Sequence, residues 1–276
     1  MIDSRIGRLF ATALTTLLVA AAVPASAQTA PPLGTAQSYA VLAGSTVTNT
    51  GPSVIVGDLG VSPGSAVTGF PPGLVSGGAI HAADAAALSA QSALTTAYNS
   101  AAGQSCTLDL TGQDLGGQVL TPGVYCFSSS AQLTGTLTLN GQGNAAAIWI
   151  FKIGSTLTTA SSASVVMSGS GSGCNVFWQV GSSATVGTST SLVGNILALT
   201  SITMTTGANL VGRALARNGA VTLDTNNINA SSCAATPVPA LPQMFMLVLA
   251  LGLAGLGVVR LMRPARARRG WRPWSW

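Results

Sequence analysis

Six short segments place a threonine, or a close substitute, on each side of one apolar residue: Thr46-Val47-Thr48, Gln132-Leu133-Thr134, Thr156-Leu157-Thr158, Thr185-Val186-Gly187, Thr203-Met204-Thr205 and Thr222-Leu223-Asp224. In a strand, residues i and i+2 share a face, so the apolar residue points one way and its neighbours the other. Stacked as rungs of one sheet, the segments form a grid of hydroxyls and methyls with almost no charge. Such a grid suits a repeating solid better than a small soluble ligand.

Residues for acid–base or covalent chemistry are sparse. The chain has no glutamate, and Asp58, Asp84, Asp109, Asp114 and Asp224 are scattered between residues 28 and 236. Arg213 and Arg217 share a strand face without a carboxylate beside them. His81, the one histidine, falls at the start of a helical segment, where a capping or surface role is expected. No Ser-His-Asp or Cys-His arrangement emerges. A polysaccharide-cleaving enzyme, which needs clustered Asp, Lys or Arg in a groove, is therefore a weaker reading than a non-enzymatic binding surface. The four cysteines are spaced wrongly for a structural zinc site, and no metal or cofactor is expected.

The net charge of +5 belongs to the ends of the chain. Arg5 and Arg8 precede an apolar run over 9–23, and Ala25-Ser26-Ala27 fits a small-residue cleavage site, so 1–27 reads as a signal peptide. Near the far end, Val238-Pro239-Ala240-Leu241-Pro242-Gln243 precedes an apolar run from Met244 to Val259 and a cluster of Arg260, Arg263, Arg266, Arg268 and Arg269. Extended over 244–262, the run is read as a transmembrane segment with the arginines cytoplasmic. This layout resembles the PEP-CTERM-like sorting tails of Gram-negative bacteria. The resemblance implies handling by an exosortase-like membrane enzyme and delivery to the cell surface; a plain membrane anchor is the alternative. Removing both ends leaves Lys152, Arg213 and Arg217 against five aspartates, a charge of −2. That domain has no basic footprint for nucleic acid. In an exported protein, Cys106, Cys126, Cys174 and Cys233 are expected to form two disulfides. Three connectivities are possible, with 106–126 and 174–233 preferred.

Residues 28–236 form one domain, rich in Gly, Ser, Thr and Ala, with Val, Leu and Ile recurring at short intervals. Ser191-Leu192-Val193-Gly194 returns 18 residues later as Asn209-Leu210-Val211-Gly212. Three series of short strands repeat: one through 175–180, 195–199 and 213–217, the threonine series, and one through 190–193, 209–211 and 227–229. A repeat of about 20 residues with three strands per turn reads as a β-solenoid of triangular section. Earlier turns fit 124–127, 132–134 and 137–139, then 148–152, 156–158 and 165–167, with one more turn at 39–42 and 46–48. The Ala-rich segment 79–102 is expected to be a helix, with Ile80, Ala83, Ala87, Ala90, Leu94 and Ala97 along one stripe. Ile148, Ile150, Phe177, Leu197, Leu199 and Leu215 lie opposite Trp149, Trp178, Ile196 and Ala198. Strands apolar on both faces need a cover, and the helix is assigned that role.

Leu120-Thr121-Pro122-Gly123-Val124-Tyr125 is similar to the L-x-PGVY signature of a secreted family of microbial ice-binding proteins. Ile148-Trp149-Ile150-Phe151-Lys152, Asn175-Val176-Phe177-Trp178-Gln179-Val180, Gly212-Arg213-Ala214-Leu215-Ala216, Ser38-Tyr39-Ala40-Val41-Leu42 and Gly57-Asp58-Leu59-Gly60-Val61 extend the resemblance over roughly 33–228. It implies a discontinuous right-handed β-solenoid with one flanking helix, its N-terminal turns entering the stack out of sequence order, and an ice crystal as partner of a monomer. The family's Thr-Ala/Gly-x-Thr/Asn element is matched by Thr206-Gly207-Ala208-Asn209 and half-matched by Thr159-Ala160-Ser161-Ser162. The ice-contacting residues expected are therefore Thr46, Thr48, Thr134, Thr156, Thr158, Thr185, Thr203, Thr205, Thr206, Asn209 and Thr222. An inert cell-surface adhesin or structural solenoid is the competing reading.

Overall fold

The computed structural model describes residues 28–233; the expected signal peptide, the sorting tail and its apolar segment 244–262 lie outside them. Short parallel strands stack as rungs in three series. Sheet a runs from Leu108–Asp109 through Gly123–Phe127, Trp149–Ile153 and Val176–Val180 to the second halves of Ser191–Ala198 and Asn209–Ala216. It then continues with Tyr39–Ala43, Asp58–Val61 and Ile80–Ala82. Sheet b contains Ala131–Leu133, Leu157–Thr159, Ala184–Val186, Ile202–Met204, Val221–Asp224, Thr46–Thr50 and Ala66–Thr68, in that order. Sheet c runs from Val119–Leu120 through Thr136–Asn140, Ser164–Ser168 and the first halves of the two long strands to Asn227–Asn229, Val54–Val56 and Leu74–Ser76.

The N-terminal coils thus stack on the last C-terminal coil, out of chain order. A second N-terminal coil over 58–76, with its rungs at Asp58–Val61, Ala66–Thr68 and Leu74–Ser76, adds to the single early turn expected from sequence.

Alternating residues explain the stack. On sheet b, Ala131, Leu157, Ala184, Ile202, Val221 and Val47 all point inward and are at most 1% exposed. Full burial of each larger aliphatic side chain stabilises the fold by about 1.5–3 kcal/mol. The corner between sheets c and a needs glycine: Gly194 and Gly212 pair across neighbouring rungs at φ 112° and 143°. A Cβ on Gly212 would lie 1.9 Å from the Gly194 carbonyl oxygen. The corner between b and c is tied by Asn226, whose Nδ2 donates to the carbonyls of Thr205 and Ala208 at 2.8 and 2.9 Å.

The helix occupies Ala85–Ala102, six residues shorter at its start than expected. Ile80–Ala82 instead forms a rung beside Asp58–Val61, and Ile80 is 46% exposed rather than part of the helical stripe. Ala83 at φ 55° breaks the backbone, and the Asp84 carboxylate then caps the helix by accepting from Ala87 N at 2.8 Å. Composition could not show this, because no Gly or Pro marks the break. The cover of sheet a is as expected. Ala90, Leu94, Ala97, Tyr98 and Ala101 cluster with Val124, Ile150, Phe177, Leu197 and Leu215. Trp149, Trp178, Ile196 and Ala198 face the solenoid interior. Both preferred disulfides are present, Cys106–Cys126 and Cys174–Cys233.

Candidate functional site

Sheet b brings the threonines together in a register that differs from the sequence alignment. Gln132, Thr158, Thr185, Thr203, Thr222, Thr48 and Thr68 are successive Cα partners on adjacent rungs. The sequence triplets had matched Thr46 rather than Thr48 with Thr222, and Thr156 rather than Thr158 with Thr185. At both rungs the register is offset by two residues, which keeps each side chain on its expected face. Leu157 and Val47 therefore align with Ala184 and Val221. With the register corrected, six threonines follow one another without a gap. Six rungs cover roughly 24 Å at the usual strand spacing. Thr203 is half-buried and the other five are exposed. Among the described residues, none of these six hydroxyls hydrogen-bonds to a protein group, whereas those of Thr156, Ser183, Ser201 and Thr205 beside them are engaged.

Those neighbours frame the column. Two residues before it lie Thr46, a partner of Ala66, and Thr156, whose hydroxyl is 2.8 Å from that of Ser130. In the same column the Ser183 hydroxyl accepts from Ser201 N at 3.3 Å and the Ser201 hydroxyl accepts from Ala220 N at 3.2 Å. Two residues after the column lie Thr134, exposed, and Thr205, whose hydroxyl donates to the Val186 carbonyl at 2.8 Å. Thr50 pairs with Asp224, and both belong to this flank. Thr206 lies at the corner and donates to Asp224 Oδ2 at 2.5 Å. Asn209 is not on sheet b: it is the first residue of a sheet c rung, paired with Ser191 and Asn227. The structure thus unites Thr46, Thr48, Thr158, Thr185, Thr203 and Thr222 on the strands of one sheet, puts Thr134, Thr156 and Thr205 one residue beyond strand ends of that sheet, and sets Thr206 and Asn209 apart.

Thr68 was missed. Its signal was present, since Ala66-Val67-Thr68 follows Thr46-Val47-Thr48 at a spacing of 20, but the flanking Pro63, Pro71 and Pro72 hid the rung. The inward partners of the second apolar column include two polar side chains, both satisfied in part. Thr159 is 3% exposed, lies 3.0 Å from the Thr190 hydroxyl and accepts from Gly187 N at 2.8 Å. Asn49 is 6% exposed and donates to the carbonyls of Gly51 and Gly69 at 2.8 and 2.9 Å.

Charge lies at the margins of the sheet. Asp114 bridges Gln132 at one end. Partial burial works against its ionisation, but the backbone N–H groups of Thr134 and Gly116 outweigh it and hold its carboxyl below the ordinary range. His81 lies away from sheet b, with Nδ1 2.7 Å from Asp84 Oδ2 and Nε2 3.9 Å from Asp58 Oδ1. The Tyr39 ring stands 5.6 Å from it, its phenol pushed up to about 12 by burial and then by Asp58 and Asp84. These groups brace the helix start. Among the described residues no helix is long and apolar enough to cross a membrane.

An ice-binding protein of Nostoc sp. (strain HG1) is 55% identical over 245 residues, covering 87% of this chain and 88% of the relative. One of Flavobacterium frigoris (strain PS1) is 34% identical over 212 residues, covering 71% and 75%. The crystal structure of an ice-binding protein from an Antarctic biological consortium superposes with a TM-score of 0.71 at 48% identity, covering 73% of this chain and 91% of that one. That of the Antarctic ascomycete Antarctomyces psychrotrophicus gives 0.71 at 40% identity, covering 73% and 98%. The stacked sheets and single helix described here are therefore the β-solenoid-like architecture of those structures. The family model described as ice-binding-like matches residues 41–229, and this chain belongs to that family.

Proposed function

We propose that this protein binds ice crystals through the outer surface of sheet b, with the column Thr158, Thr185, Thr203, Thr222, Thr48 and Thr68 at its centre. The observation that carries the reading is the unbroken register of six threonines whose hydroxyls have no protein partner among the described residues. Rungs about 4.7–4.9 Å apart and residues i and i+2 about 6.6 Å apart are close to oxygen spacings in ice. The methyls order water into cages, the hydroxyls anchor that water, and the ordered layer merges with the crystal. Thr46, Thr134, Thr156 and Thr205 widen the array on both flanks; Thr206, at the corner, and Asn209, on the adjoining rung of sheet c, border it. Relatives named as ice-binding proteins support a binding role rather than an enzymatic one.

The finer architecture we infer is a right-handed solenoid of triangular section, acting as a monomer. Arg5 and Arg8 with the apolar run after them, and four paired cysteines, support export. The tail over 237–276 supports delivery to the surface of a Gram-negative cell by an exosortase-like enzyme, with the segment 244–262 in the membrane before processing. An ice-affinity partition experiment tests the function: the purified protein should enter a slowly growing ice front. Exclusion into the liquid together with a non-binding control protein would exclude the reading and favour the adhesin alternative.

A further inference from the structure

Where the stack departs from chain order, no short corner turn links neighbouring rungs and sets their register. That seam lies between the coil over 213–229 and the coil over 39–56. On sheet a it is narrow: Val41 and Leu42 pair with Ala214 and Leu215, against four consecutive pairs between Asn195, Ile196, Leu197, Ala198 and Arg213, Ala214, Leu215, Ala216. Two of the six aligned threonines, Thr48 and Thr68, lie beyond it.

Arg213 sits at the seam. Its side chain is buried, and the ion pairs among the described residues involve His81 alone. The guanidinium instead donates in three directions. Nε reaches the Gln37 carbonyl at 2.8 Å, just before the first N-terminal rung. One terminal nitrogen reaches Asn195 Oδ1 at 2.9 Å, one coil back, and the other reaches the Cys233 carbonyl at 3.2 Å. Asn195 donates in turn to the carbonyls of Cys174 and Val176 at 3.0 and 3.1 Å, and Cys174 is disulfide-bonded to Cys233. One side chain thus joins the N-terminal start, a middle coil and the C-terminal end. A buried cation without a carboxylate carries a desolvation cost that an apolar side chain of similar volume avoids. Core filling alone would not select arginine here. A planar fork with donors on three sides does.

We propose that Arg213 is a positioning residue for the threonine array: it anchors the N-terminal coils so that Thr48 and Thr68 continue the column of Thr158, Thr185, Thr203 and Thr222. The consequence for ice rests on the function proposed above; the anchoring itself can be read without ice. Amide hydrogen exchange of the full chain carrying Arg213→Met tests it. Exchange over 39–50 should rise on the order of tenfold, as expected for losing hydrogen bonds to a charged group, while 149–180 keeps its protection. Arg213→Lys should behave similarly, because one ammonium cannot reach all three acceptors. A Cys174→Ser/Cys233→Ser variant should loosen the same segment less, and it carries the test if Arg213→Met fails to fold. Ice partition of each loosened variant should drop to the level of Thr48→Tyr. Unchanged exchange over 39–50, or an equal rise through every coil, overturns the proposal. So does a loosened seam with wild-type ice partition. A loosened seam in a chain whose wild type never enters ice leaves the anchor standing and removes the ice reading instead.

Discussion

A threonine hydroxyl gains little by exchanging one water for another, because the net worth of such a hydrogen bond is small. What matters at each rung is placement. Thr203 sits at the middle of the column, between Thr185 and Thr222, with a buried Ile202 and Met204 on either side holding its backbone. Thr203→Tyr should lower thermal hysteresis several-fold with an unchanged circular dichroism spectrum, and Thr158→Tyr should do nearly as much. Full activity in both variants would remove sheet b from consideration. Asp84 makes a different residue-scale prediction. The Ala87 N–H, then the His81 side chain, hold its carboxyl below the ordinary value of 3.8. A depressed folded-state pKa stabilises above the unfolded value and is lost as pH falls through the folded one. Amide protection in the first helical turn should therefore hold from neutral pH to about 3.8 and decline only below it. Asp84→Asn, which has no carboxyl to protonate, should remove that decline, with the rest of the helix unaffected.

The helix and sheet a form a second hydrophobic core outside the solenoid. Ala90, Ala97 and Ala101 are fully buried there, and their small size sets the close approach. Ala97→Leu should destabilise the protein by about 1–3 kcal/mol through overpacking, measured by urea unfolding. Ice partition of the folded fraction should not change, since the helix lies on sheet a and the array on sheet b. The helix also solves a problem of length. The rungs at Ile80–Ala82 and Leu108–Asp109 lie at opposite ends of sheet a, about eight rung spacings or roughly 38 Å apart. Eighteen helical residues supply about 27 Å of that path, and the flanking segments supply the rest.

The whole molecule is held by two covalent ties of unequal reach. Cys106–Cys126 closes a separation of 20 residues and Cys174–Cys233 one of 59. The chain-entropy argument assigns them roughly 3 and roughly 4 kcal/mol. Removing the second pair should therefore lower the urea midpoint more than removing the first, under non-reducing conditions. The reverse order would mean that strain or denatured-state structure outweighs loop length. The second tie also closes over the guanidinium of Arg213, which burial pulls down to about 10, leaving it a cation at neutral pH. Joining the ends of the discontinuous stack is a property no single coil possesses.

Much of this was legible in the residues. Alternation of apolar and polar side chains determines which atoms of a strand face inward, so the solenoid, the double-sided apolar strands of sheet a and their helical cover could be read directly. The preferred cysteine pairing also agreed with the structure. Register could not be read, because a shift of two residues preserves every inward and outward assignment. Thr48 and Thr158, not Thr46 and Thr156, complete the column only because Val47 and Leu157 pack beside Val221 and Ala184. Nor could the pattern place Thr68, whose rung adjoins the array only after the N-terminal coils join the far end of the chain. Local sequence determined that threonines line a face; packing between distant coils decided that six of them form one uninterrupted line.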